Sequence, residues 1–261
     1  MAYLERITVF PIKSLDGMHT SHSCITKGGS LIFDREFALF DKKGKIINGK
    51  RTNKVHLLRA SFDPKVCMVT LRAQSNDKTE QFNLRTDQAA LEAWFSDFFG
   101  FGVSIKQDIH AGFPDDLNAS GPTIISTATL QEISTWFEGL SMHDLRLRFR
   151  TNLEIGGVQP FFEDCLYDKP GSVVQFKIGE VHFEGIGPCQ RCIVPTRNPL
   201  TGEYTPRFKT IFAKKRKNAM PYWVQASRFD HFYRLAVNTN IFPSEAGKKI
   251  KTGDALKILG F

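Results

Sequence analysis

The sequence predicts a mainly β protein with a few helices, an α+β fold in two parts, residues 1–110 and 111–261. Three observations lead there. Short apolar, β-branched runs bounded by turn residues recur along the chain. Apolar residues fall at helical spacing in only two stretches. A segment rich in Gly, Pro, Asp and Asn, residues 109–122, breaks both patterns where two units would meet.

Residues 5–12 are apolar and β-branched and predict the first strand. Residues 36–40 and 45–48 flank Asp41-Lys42-Lys43-Gly44, a turn with Gly at its last position, and predict a hairpin. A second hairpin is expected from 66–71 and 81–84 across Ser75-Asn76-Asp77-Lys78. The period then changes: over 88–99, Leu91, Trp94, Phe95, Phe98 and Phe99 follow helical spacing, with Thr86 or Asp87 as N-cap and Gly100 as the stop. Beyond the irregular segment, 123–125 predicts a short strand and 128–138 a helix striped by Leu130, Ile133 and Phe137, with Ser126 or Thr127 as its cap. Residues 145–155 alternate and predict a strand. The runs 173–178 and 181–186, turning at Gly179-Glu180, predict another hairpin, and 254–259 a last strand.

Composition bounds the function. Of 261 residues, 41% are hydrophobic and 24% charged, which excludes collagen-like, low-complexity and disordered chains. No apolar run approaches the roughly 20 residues that cross a bilayer. Glu5 and Arg6 interrupt the first ten residues and no signal-peptide core follows. Together with five cysteines, an odd number, this predicts a reducing, cytoplasmic setting and no disulfide scaffold. A net charge of +8 favours anionic partners: nucleic acid, an acidic membrane or a phosphorylated small molecule. The run Lys214-Lys215-Arg216-Lys217, beside Phe208 and Phe212, has some nucleic-acid character, but such runs ordinarily form a solvated face. The expected partner is a small-molecule substrate, with no nucleic acid and no membrane.

Three segments could carry chemistry. The most informative is Gly187-Pro188-Cys189-Gln190-Arg191-Cys192. A Cys-x-x-Cys pair can be half of a zinc site, though only Cys165 and His182 lie nearby in sequence to complete it. It can be a redox pair, which belongs at a helix N-terminus rather than behind a strand. It can supply one thiolate to a single soft metal, or be two inert buried cysteines. In the second segment, alternation would put Arg146, Arg148, Arg150 and Asn152 on one strand face. Guanidinium forks suit a phosphate or a carbonyl-rich heterocycle, or else form a solvated surface. In the third, Lys13-Ser14 at the end of the first strand can offer an ammonium and a hydroxyl to a phosphate, or be an ordinary turn. Asp34-Arg35 adds a charged pair whose simplest reading is a surface ion pair.

In order along nearly the whole chain run Pro11-Ile12-Lys13-Ser14, Asp34-Arg35, Arg150-Thr151-Asn152, Glu163-Asp164, Pro188-Cys189-Gln190-Arg191-Cys192, Asn198-Pro199-Leu200-Thr201-Gly202 and Ile250-Lys251-Thr252-Gly253-Asp254. This series resembles the MOSC family, in the arrangement where a MOSC domain follows a MOSC N-terminal β-barrel domain. That arrangement includes the mitochondrial amidoxime reducing component and bacterial reductases of N-hydroxylated bases. The resemblance implies a MOSC-type β-barrel domain behind a barrel-like N-terminal domain. It also implies a molybdenum cofactor (molybdopterin), with Cys192 as the metal's protein ligand and catalytic residue and Cys189 as a structural neighbour. Lys13, Ser14 and Arg35 would hold the cofactor phosphate, Arg150 and Asn152 would reach the pterin, and Ser126 is a further candidate. The implied activity is an oxidoreductase acting on N-hydroxylated compounds. No Cys-x4-Cys-x2-Cys run follows, so its electrons would come from a separate ferredoxin- or cytochrome-type donor. The alternative is a cofactor- or sulfur-carrying protein without reductase turnover. Cys165 stands where the family usually has Trp, Asn198 where it has Asp and Thr151 where it has Pro, which bears on pocket polarity and substrate preference.

Overall fold

Leu4, Ile7 and Val9 turn inward from the first strand, β1 (Tyr3–Val9), and their burial sets its register. The computed structural model describes residues 1–74 and 78–259. After β1 come β2 (Met18–Thr20), β3 (His22–Cys24), β4 (Phe37–Asp41), β5 (Leu58–Phe62), β6 (Met68–Ala73) and β7 (Thr79–Asn83). Helix α1 (Gln88–Phe99) and β8 (Val103–Gln107) follow, then β9 (Ile124–Ser126), α2 (Thr127–Ser134), α3 (Met142–Phe149) and β10 (Leu153–Gly156). The chain continues through β11 (Val174–Ile178), β12 (Val181–Gln190), α4 (Phe208–Asn218), β13 (Arg234–Asn240), β14 (Lys249–Lys251) and β15 (Leu256–Ile258). The strand-rich mixed fold is the one expected from sequence. None of its described helices is long and apolar enough to cross a membrane.

Eight strands form one sheet in the order β15-β11-β12-β13-β9-β10-β1-β2, antiparallel except at the β9–β10 pair. β1 and β2, from the start of the chain, thus share a sheet with strands from beyond residue 124. β5, β6 and β7 make a separate three-stranded sheet, and β4–β8 and β3–β14 pair on their own. Leu91, Phe95 and Phe99 lie on one stripe of α1 and share a core with Val69, Leu71 and Phe82 of the three-stranded sheet. Gly100 ends α1 at φ +79°, a left-handed turn that favours a residue without Cβ. A different core forms where α2, α3 and α4 meet, from Leu130, Ile133, Leu145, Phe149, Phe208 and Phe212.

The expected hairpins are present. Asp41 N donates to Lys45 O at 3.0 Å and Ile47 N to Leu39 O at 2.8 Å, which closes the first around Gly44. β6 pairs with β7, and of the turn between them Ser75, Asn76 and Asp77 lie outside the described residues. β11 pairs with β12, and β12 runs on to Gln190, so Cys189 is still in the sheet. α2 stops at Ser134, short of the expected 138, because the amides of Thr135 and Trp136 bond to carbonyls only three residues back.

The strand expected over 145–155 is wrong for its first half. Ser141 and Asp144 form a capping box that starts α3, and Leu145, Arg148 and Phe149 bury one helical face. Leu145 and Phe149, four apart, satisfy both a two-residue and a 3.6-residue repeat, which is why alternation was misleading. The three arginines therefore do not share a face. Arg146 makes a two-pronged bond to Glu154 at 2.8 Å, Arg148 is buried and Arg150 caps the helix at φ 52°.

Candidate functional site

A cleft of about 620 Å³ opens where the loops after β1 and β3, the end of α3 and the end of β12 approach one another. Lys13 lies just beyond β1, where Lys13 N donates to Phe37 O at 2.7 Å. Its ammonium is buried and donates to Phe113 O at 2.8 Å and Asp115 Oδ1 at 2.9 Å. Ser14 follows in the left-handed region at φ 75°. Arg35, also left-handed, is paired with Asp34, and its Nη1 reaches Asn152 Oδ1 at 3.4 Å. Asp34 in turn accepts from Phe10 N at 2.9 Å, which ties the pair to the end of β1.

Asn152 is fully engaged. Its amide donates to Thr8 O at 3.1 Å, and its oxygen accepts from Thr123 N and Thr123 Oγ1, each at 3.2 Å. Arg150 is not. Its guanidinium lies over the Phe10 ring and, among the described residues, bonds to no acceptor. Burial, then the charge of Arg35, lower its pKa to about 10. Burial also lowers the pKa of Lys13, against the pull of Asp115. Partial desolvation beside its neighbours opposes ionisation of the exposed Asp115, but Arg35 and Lys13 outweigh it and hold the carboxyl well below the usual range.

β12 delivers the two cysteines. A Cβ at Gly187 would sit 1.9 Å from Arg228 Nη2, so a side chain there would displace the guanidinium that donates to Ile186 O at 2.6 Å. Arg191 donates to Cys189 Sγ at 3.3 Å and also to Phe149 O, and its backbone N donates to Tyr233 O at 3.1 Å. Cys192 is half-buried on the cleft wall and opens the turn through Val194, Pro195 and Thr196. Among the described residues, no three His, Cys, Asp or Glu side chains converge to hold a metal ion.

The cleft brings together Lys13, Ser14, Arg35, Arg150, Asn152 and Cys192. It does not include Ser126, which is fully buried and caps α2 by accepting from Thr129 N at 3.1 Å. Glu163 lies behind it, accepting from Ser126 N at 3.2 Å and Thr129 Oγ1 at 2.9 Å. Burial and the neighbouring Asp164 raise Glu163 to about 7, while Asp164 is bonded to buried Arg216. Asn198 closes its own turn by accepting from Leu200 N at 2.8 Å.

Among the cleft residues that sequence reasoning missed are Asp115 and His56. Asp115, inside the irregular 109–122 segment, carried no pattern. His56 lines the wall with a buried Nε2 that has no partner among the described residues. Burial, then Arg197, Arg150, Arg59 and Arg148, lower its pKa to about 4, so it is neutral at pH 7. A single histidine on a short 3₁₀ turn gave no signal to find it by.

Residues 1–101 match the MOSC N-terminal beta barrel domain and residues 122–257 the MOSC domain. Among curated relatives, the molybdenum cofactor sulfurase of Drosophila willistoni is 24% identical over 251 residues, covering 86% of this chain and 31% of its own. That of Arabidopsis thaliana is 24% identical over 237 residues, covering 73% and 28%. That of Homo sapiens is 22% identical over 258 residues, covering 81% and 28%. The chain thus spans less than a third of the length of these relatives. On the two domain matches, which together take in most of its residues, the chain belongs to the MOSC family.

Proposed function

We propose that the protein binds a molybdenum cofactor in this cleft and, in a reducing cytoplasmic setting, reduces N-hydroxylated small molecules with electrons from a separate donor protein. The convergence of Cys192 with Lys13, Ser14, Arg35, Arg150 and Asn152 on one cleft of a MOSC chain carries the proposal. The names of the relatives, molybdenum cofactor sulfurases, support the choice of cofactor.

The residues fit the group. A cysteine thiolate suits a soft, high-valent metal, and Cys192 would be its protein ligand. Arg150 offers guanidinium N–H groups that no acceptor among the described residues uses, a strong draw for an anion in a half-buried site. Lys13, Ser14 and Arg35 would hold the phosphate, with Asp115 and Asp34 keeping the two cations in place until it binds. Asn152, its amide already committed, would act by orienting Arg35. When bound, the cofactor supplies a two-electron couple able to take oxygen from an N–OH group. His56 stays neutral and can donate or accept one hydrogen bond through Nε2.

The test is to express the chain in cofactor-replete cells, then measure molybdenum by elemental analysis and N-hydroxy reduction with a viologen donor. Stoichiometric molybdenum with turnover is expected, and Cys192→Ala should lose both. A Cys192→Ala protein that keeps full metal and activity overturns the proposal. A second reading, a cofactor- or sulfur-carrying protein, is favoured by the relatives' names. Tight cofactor binding without any turnover decides for it.

A further inference from the structure

The loop that leaves Cys192 carries three large apolar side chains into water, Ile193 at 45% exposure, Leu200 at 44% and Tyr204 at 55%. Arg148 ties this loop to α4. Its guanidinium donates to Pro195 O at 2.9 Å, Arg197 O at 2.7 Å and Thr205 Oγ1 at 3.1 Å, and lies 5.1 Å from the ring centre of Phe208. From α4, Lys209, Lys214, Lys215 and Lys217 project into water, and the helix holds no acid. Lys209 Nζ sits 5.7 Å from the ring centre of Tyr233 and Lys217 Nζ 5.6 Å from that of Phe232. Two acids lie close by in sequence. Glu203 accepts from Thr201 Oγ1 at 3.1 Å, and Asp230 is paired with Arg234 at 2.7 Å.

Tyr233 links this surface to the cleft. Its ring is buried beneath Lys209, and its hydroxyl lies within electrostatic reach of Cys192 and Tyr204. Cys192 thus lies near a stretch of surface where the apolar side chains of its own loop adjoin α4, whose solvent side is lined with lysines. Such a face suits a small, transient interface in which charge steers the encounter and a few apolar contacts fix it.

We propose that this face, Ile193 and Tyr204 with the lysines of α4, docks an acidic one-electron carrier protein. The inference rests on the reductase reading and names where its electron donor binds. Each docking delivers one electron past Tyr233. Two dockings and two protons balance the reduction of one N–OH to N–H and water.

The test compares the cofactor-loaded protein with a Lys214→Glu, Lys215→Glu, Lys217→Glu variant and with the milder variant carrying Gln at the same three positions. The probes are an acidic plant-type [2Fe–2S] ferredoxin and an acidic cytochrome b5, with binding measured by calorimetry and turnover by reduced viologen. At least one probe should bind the parent protein, more weakly as salt rises. The Glu variant should bind it on the order of tenfold or more weakly and the Gln variant by an intermediate factor, with viologen turnover unchanged in both. Equal donor binding by parent and Glu variant, or binding by neither probe, overturns the docking face. Tight oligonucleotide binding that the Glu variant loses, without donor binding, assigns the face to nucleic acid and overturns it too. Absence of viologen turnover in the parent overturns the reductase reading instead, and the binding isotherms still decide the docking.

Discussion

The guanidinium carbon of Arg150 lies 4.1 Å from the centre of the Phe10 ring, and Arg35 lies 5.5 Å from the same centre. Two cations thus share one aromatic ring, and of the two, among the described residues, only Arg35 has a carboxylate partner. Arg150 also occupies a left-handed position that glycine takes more easily. Arg150→Gly should keep the end of α3 in place and leave the cofactor-free protein as stable as before or about 0.5–1 kcal/mol more stable. The same change should weaken cofactor retention by about 1.5–3 kcal/mol, the worth of a hydrogen bond to a charged group. Thermal melting of the free protein and molybdenum content after dialysis measure the two effects.

The two cysteines should separate cleanly. Cys189 accepts from Arg191 at 3.3 Å, a role a serine hydroxyl can take over. Cys189→Ser is therefore expected to keep metal content within about twofold of the parent, whereas Cys192→Ser replaces a soft thiolate with a hard oxygen and should lose most of the metal. Elemental analysis of both variants, purified in parallel, is the measurement.

Asp115 gives a pH signature. Its folded carboxyl ionises below the ordinary value of 3.8, so the stability it adds is fully present above that value and is lost as pH falls through the folded one. The Asp115 side chain is 59% exposed, so solvent screening holds the effect to about 1 kcal/mol or less. Urea midpoints should fall more for the parent than for Asp115→Asn between pH 5 and about pH 2. Parallel loss in both proteins would show that the Lys13–Asp115–Arg35 group adds nothing to folding.

Phe95 is fully buried between α1 and the three-stranded sheet, and its ring packs edge-on to Trp94 at 5.4 Å. Phe95→Ala should cost about 3–5 kcal/mol, enough to unfold a marginal domain. Denaturant titration followed by Trp fluorescence reads it directly.

Much of this was legible before the structure. The spacing of Leu91, Phe95 and Phe99 with Gly100 behind it marks α1 at its true bounds, because helix periodicity and a glycine stop agree. The motif residues from Lys13 to Cys192 could be named because they recur in one order, although nothing local shows that the segments meet. Residues 145–149 were misread because a repeat of four fits either period, and only the capping box at Ser141 distinguishes them. Ser126 was set beside the cofactor residues, but its hydroxyl serves the first turn of α2. Asp115 and His56 were invisible because each owes its place in the cleft to contacts with residues distant in sequence, and no local pattern encodes those.

The placement of β1 has a consequence for how the chain is made. Tyr3 to Ile7 pair with residues 153–156, and Leu4 N donates to Asp254 O at 2.8 Å. During synthesis the edge of β1 that faces β10, its other edge already paired with β2, must wait for about 150 further residues, on the order of ten seconds or more at about 5–20 residues per second. A nascent chain stalled before residue 150 would therefore present the open edge and apolar face of β1 to chaperones.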